Sequence, residues 1–228
     1  MQPQDYLKRL QKQFQEHSDL ELARGQEAYM RNQFDFHGIK TTARRELQKT
    51  FLKKEDLPLR DDLLAIVKNL WEKPQREYQY FAQELFFRFK RELQPQEITV
   101  FEYMITHRSW WDTVDFIAAN LVGQYFRKFP EQRAEYVERW LATGNIWLQR
   151  TAVIFQLKYK KETDTKLLAS TIDRLLGSRE FFINKAIGWA LREYSKTDPQ
   201  WVVDFVEQTE LSRLSRVEGL KWLNRSAR

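Results

Sequence analysis

The feature that most restricts the fold of this chain is a repeat of its helical segments at an offset of 35 residues. Residues 146–159 lie over residues 181–194 so that Leu148/Ile183, Ala152/Ile187, Phe155/Ala190 and Tyr159/Tyr194 coincide. Their spacing, i, i+4, i+7, i+11, traces one buried stripe along a helix. The same step taken backwards reaches residues 110–126 and then 74–89, with Ile117 and Ala82 at the Ala152 position. A helical unit of this length cannot bury its apolar face alone, and stacking copies solve the problem, as in HEAT and TPR arrays. No TPR pattern of Trp, Leu-Gly and Tyr is present, so a degenerate HEAT-like array of helix pairs is expected.

The chain has only seven Gly and six Pro, and no stretch alternates apolar and polar residues long enough to make a hairpin. Pro74, Pro130 and Pro199 each sit at a plausible first helical position, where a missing N–H costs nothing. Asp198 suits an N-cap and Ser18–Glu21 reads as a capping box. About a dozen helices of roughly 10–18 residues are expected. Together they make an all-α chain forming a single domain over residues 1–228, with residues 211–228 as a basic C-terminal segment.

Composition removes several chemistries. Without Cys there are no disulfides, thiolate nucleophiles, Cys-bound zinc or iron–sulfur clusters. His17, His37 and His107 are far apart, so metal catalysis has little support, and neither metal nor cofactor is expected. No apolar run approaches the roughly 18 residues of a membrane span. Met1–Asp5 shows no basic region followed by an apolar one, which predicts a cytoplasmic protein without an export signal. A net charge of +6 and an isoelectric point near 9.4 make a polyanion the first partner to consider.

Two residues before the buried stripe, about 200° round each helix and away from the core, stand Arg45, Tyr80, Asp115, Arg150 and Lys185. Trp111 lies one turn before Asp115 and Trp189 one turn after Lys185, on the same faces. Each residue has an ordinary explanation as well. Trp110 and Trp111 can plug a joint between repeats, the cations can be a solvated face, and Asp115 can be a plain partner for Arg150. The coincidence of two Trp, one Asp and several cations favours a site. A carboxylate there stabilises an oxocarbenium-like state or orients water, and the aromatic faces attract cations or stack on sugars and bases. Cations neutralise phosphates. Asp112, three residues from Asp115, cannot straddle a bond with it and is read as a local first-turn or capping group.

Three blocks, Ser109-Trp110-Trp111-Asp112-Thr113-Val114-Asp115, Asn145–Arg150 and Lys185–Tyr194, resemble the AlkD-type DNA glycosylases. The likeness runs from Tyr29–Phe34 to about Pro199. It implies a right-handed superhelical solenoid of antiparallel HEAT-like helix pairs with a concave DNA-binding surface. The implied activity is hydrolysis of the N-glycosidic bond of N3- and N7-alkylated purines in duplex DNA, by a monofunctional enzyme of base excision repair. It further implies that Asp115 is the catalytic carboxylate and that Trp111 and Trp189 contact the lesion's deoxyribose. By the same likeness Tyr29 and Arg150 contact the DNA backbone, and Arg45 and Arg192 lie along the groove, with Lys185 beside them. Alkylated duplex DNA is then the partner, with no membrane, no obligate protein partner and a monomeric state expected. Thr42 departs from the family, which commonly has Pro before its basic pair, although Thr41 or Thr42 is still able to cap that helix.

Two readings of other classes stand beside this one. A non-catalytic HEAT-like scaffold binding DNA or a protein predicts binding without base release. An RNA- or peptide-binding solenoid predicts that RNA competes well with methylated DNA. Arg213, Arg216, Lys221, Arg225 and Arg228 form a basic cluster read as a frayed, solubilising tail, with an extended DNA footprint as its alternative.

Overall fold

A computed structural model describes residues 2–226. These fall into two compact units, one up to Glu92 and one from Leu93 onward. Among the described residues every regular element is helical, and the only β-type contact is an isolated bridge between Asp35 and Gln75. No described helix is long and apolar enough to cross a membrane.

The first unit contains α1 (Pro3–Glu16), α2 (Leu20–Tyr29), α3 (Thr41–Gln48), α4 (Leu63–Trp71) and α5 (Arg76–Arg88). Helix α1 buries Tyr6, Leu10 and Phe14, a strict i, i+4, i+8 stripe, and the Tyr6 hydroxyl donates to the Phe51 carbonyl at 2.9 Å. The buried Glu77 carboxylate accepts from the backbone N–H groups of His37, Gly38 and Ile39 at 3.0, 3.1 and 3.2 Å. Burial still raises the Glu77 carboxyl above the ordinary range, since those bonds offset desolvation only in part. Gly38 is obligatory there: its φ is +84°, and a Cβ would stand 1.9 Å from the Asp19 carbonyl oxygen. This anchor leads directly into α3, which carries Arg44 and Arg45.

The second unit contains α6 (Ile98–Thr106), α7 (Trp111–Phe116), α8 (Gly123–Lys128), α9 (Arg133–Ala142), α10 (Ile146–Ile154) and α11 (Thr165–Asp173). It ends with α12 (Phe181–Tyr194), α13 (Pro199–Gln208), α14 (Arg213–Leu220) and α15 (Leu223–Ser226). Helices α7 and α8 are joined without a break by a π-helical turn, Ile117–Val122. There the Asn120 side-chain amide donates to the Phe116 carbonyl at 2.8 Å. The expected stripe is buried except at its last member: Leu148, Ala152, Phe155 and Tyr159 on one copy, Ile183, Ile187 and Ala190 on the next, and Ile117 on the copy before are buried, whereas Tyr194 is only half-buried. Side-chain bonds then join residues about one repeat apart. Arg150 reaches Asp115 (separation 35), Tyr159 the Gly123 carbonyl (36) and Arg174 Glu138 (36). Lateral ties at this spacing are what a stack of repeated helical units produces, so the helical solenoid expected from the sequence is the architecture within this unit.

Several local expectations shift. Asp19, not Ser18, caps α2, accepting from Glu21 and Leu22, while Ser18 bonds to Phe14 and His37 instead. Asp198 caps α13, with Pro199 as its first residue, as expected. Pro130 opens a 3₁₀ turn that runs into α9, and Pro74 lies two residues ahead of α5 because Gln75 is held in the bridge to Asp35. Neither Thr41 nor Thr42 caps α3; Lys40 occupies that position without a side-chain bond. Helix α10 stops at Ile154, five residues short of the stripe's last member. The Gln156 amide there closes the following turn onto both backbone groups of Asp164. Residues 213–220, within the segment read as a tail, form a helix that buries Ser215, Glu218 and Gly219, and Arg228 lies outside the described residues.

Helix α14 sits closely on α12 because Gly188 leaves room for it. A Cβ at Gly188 would stand 2.6 Å from Glu218 Cβ and 2.9 Å from the Ser215 carbonyl oxygen. We expect Gly188→Ala to lower the unfolding free energy by about 1–3 kcal/mol, the usual cost of overpacking. Chemical denaturation measures it, and unchanged stability would show that α14 can move away freely.

Candidate functional site

The second unit has a cavity of about 300 Å³ bounded by α7, α10 and α12. Trp111, Asp115, Arg150, Lys185, Trp189 and Arg192 line it, together with Phe181 and Phe182. Six of the eight residues to which the resemblance gives a role in the site therefore meet at one place. Tyr29 and Arg45 belong to the first unit, where both are exposed. Arg45 Nε lies 3.9 Å from Glu84, whose carboxylate also pairs with the buried Arg44 at 3.0 Å.

The repeat delivers Asp115 and Arg150 side by side on α7 and α10. Arg150 Nε donates to Asp115 Oδ1 at 2.6 Å and Nη2 to Oδ2 at 2.9 Å, a bidentate pair. Its Nη1 donates to the Phe182 carbonyl at 2.6 Å. Arg150, read from the sequence as an outward cation, is only 3% exposed, because Asp115 and α12 cover it. The side chain of Asp115 keeps 16% of its surface open, at the cavity. Burial raises its carboxyl above the ordinary aspartate range, and the Arg150 bonds pull it back only in part.

The two neighbouring Trp divide the roles foreseen for them. Trp110 plugs a joint, its ring 5.6 Å from Trp147 and 5.2 Å from Phe182, while Trp147 and Phe182 are 4.9 Å apart. Trp111 lines the cavity, as does Trp189 of α12. Asp112 stands in the first turn of α7, but the capping position belongs to Trp110. Helix α10 is aligned by Asn145, which accepts from Trp147 and Leu148 at 2.9 and 3.2 Å.

The sequence did not single out Glu218. Its carboxylate accepts from Lys185 Nζ at 2.7 Å and pairs with the Arg192 guanidinium, and its side chain is 7% exposed. Burial, then the Arg192 and Arg150 charges, lower the Lys185 ammonium from its ordinary value. The repeat gives no signal for this pairing: one further step of the offset from Lys185 falls on Leu220, while Glu218 lies one step beyond Ile183 of the buried stripe. Among the described residues, no group of three or more His, Asp or Glu is placed to hold a metal ion.

The family model for DNA alkylation repair enzymes matches residues 10–223. Among solved structures, a predicted DNA alkylation repair enzyme from Enterococcus faecalis superposes with a TM-score of 0.84 at 33% identity. The match covers 90% of this chain and 96% of that one. No curated protein matches the chain.

Proposed function

Taking as premise that this chain belongs to the DNA alkylation repair enzyme family, we propose that it is a monofunctional DNA glycosylase of base excision repair. It hydrolyses the N-glycosidic bond of N3- and N7-alkylated purines in duplex DNA. The observation that carries this reading is one part-buried carboxylate, Asp115, held by Arg150 at a cavity that Trp111 and Trp189 also line.

An N3- or N7-alkylated purine is already cationic. When the C1′–N bond breaks, its electron pair leaves with the base and neutralises it, so no general acid is needed. This suits a site that contains no His. Positive charge passes to the sugar, where the Asp115 carboxylate stabilises the oxocarbenium-like state. Water then adds at C1′, oriented by the same carboxylate, which accepts its proton as the new C–O bond forms. The Trp111 and Trp189 faces contact the deoxyribose and attract the cationic centre by about 0.5–2 kcal/mol. Lys185 and Arg192 are proposed as phosphate contacts at the lesion, and Tyr29 and Arg45 as DNA contacts of the first unit. Arg150 serves the DNA chiefly through Asp115, since its guanidinium is already engaged. The reaction draws on no cofactor, and the chain acts as a monomer in the cytoplasm.

Base release as a function of pH tests this chemistry. The working form of Asp115 is ionised, and burial raises its carboxyl. The rate therefore falls as pH drops through a value above the ordinary aspartate pKa of about 3.9, roughly tenfold per unit below it. A rate that stays flat down to about pH 4 would contradict the assignment.

A further inference from the structure

Three cations, Arg150, Lys185 and Arg192, line a cavity that under the reading above receives a positively charged base. Asp115 answers one of them. The other two are answered from outside the cavity wall by Glu218 of α14, which accepts a hydrogen bond from Lys185 on Oε2 and forms an ion pair with Arg192 through Oε1. Its place is fixed. Gly188 and Gly219 bring α12 and α14 together, a Cβ at Gly219 meeting Leu191 Cβ at 3.1 Å. Ser215, one turn earlier on α14, donates to the Asn184 carbonyl of α12 at 2.9 Å. A carboxylate this buried is costly unless paired, and here it has two partners.

We propose that Glu218 is a positioning residue of the site: a fixed counter-charge that weakens the phosphate contacts of Lys185 and Arg192 and lets the cavity accept a cationic base. The inference rests on the alkylpurine reading for its substrate, but not for its effect on the two cations. With Glu218 ionised, the five charged groups sum to +1; without it they sum to +2, and both side chains are released toward phosphate.

The test uses the full chain and Glu218→Gln, which keeps the shape and removes the charge. Two readouts are expected to move in opposite senses. Binding of undamaged duplex DNA tightens, and its log–log salt dependence steepens by about 0.9 for each cation released. Release of 7-methylguanine slows about tenfold, the order expected of one unit charge across roughly 10 Å at an effective dielectric near 20. Adding Lys185→Met to Glu218→Gln returns the net charge to its original value and, measured in single turnover at saturating protein so that the lost DNA contact does not limit the rate, is expected to recover part of the lost rate. A role limited to packing predicts the reverse, with the double variant slower than the single one. Equal salt slopes for wild type and Glu218→Gln overturn the proposal, as does a double variant worse than the single. If wild type releases no base at all, the glycosylase reading falls, and the salt slopes still decide what Glu218 does to the two cations.

Discussion

Asp115→Asn is expected to slow base release by about 10²–10³-fold, the usual effect of removing one preorganised electrostatic stabiliser from an active site. The amide has nearly the shape of the carboxylate but keeps only one acceptor for Arg150 and turns an NH2 toward its other N–H, so stability is expected to fall and is measured beside the rate. DNA affinity should hold or rise, because a negative charge has been withdrawn from a site facing a polyanion. That combination, lost rate with kept binding, separates chemistry from structure. Single-turnover release from methylated duplex, measured beside equilibrium binding, reads both. A variant with the full rate would reduce Asp115 to a plain partner of Arg150 and favour the scaffold reading.

Arg150→Ala is expected to have the largest combined effect on stability and rate. Arg150 is nearly fully buried and spends three N–H groups on Asp115 and the Phe182 carbonyl. Deleting it leaves a part-buried carboxylate without its counter-charge, a loss of about 3–5 kcal/mol in folding free energy. The rate has its own signature. Without Arg150, nothing offsets the burial that raises Asp115, so the acid limb of the pH profile moves upward and release at neutral pH falls. Part of the lost rate should return at higher pH, where Asp115 ionises again. Arg150→Lys should fall between, since an ammonium cannot make the two-pronged contact. Wild-type stability and an unmoved pH profile in Arg150→Ala would detach Arg150 from the site.

Much of the second unit was legible in the sequence because repetition is a long-range signal that one chain carries openly. The offset aligning Ala152 with Ile187 and Ile117 also gave the partner relation of Asp115 and Arg150, whose side chains bond across that spacing. Helical periodicity marked the core stripe except at Tyr194, which is half-buried, and did so even where the helix itself ends at Ile154. Periodicity locates faces, however, and not what covers them. It placed Arg150 away from its own helix's stripe, as it is, but gave no sign that α12 folds over it. Nor did it show that Ser18 is drawn off to His37, leaving Asp19 to cap α2.

Glu218 illustrates the same limit. Composition counted it as one acid among five basic residues in the last stretch of chain, a pattern typical of a solvated end. What makes it matter is Gly188, two helices earlier on α12, which clears space for the backbone of α14. That relation depends on which helices touch. The 35-residue offset carried one copy further leads from Lys185 to Leu220 and would not have found it.

Hydrolysis of an N-glycosidic bond leaves two products, a free base and an abasic strand, and both can be measured. Excess wild-type protein is incubated with duplex DNA methylated at purine N7 and N3, and both the released small molecules and the strands are analysed. The account predicts free 7-methylguanine and 3-methyladenine, with an uncleaved strand carrying an abasic site at each position. Duplex that is bound and recovered with its methylated bases still attached would contradict it.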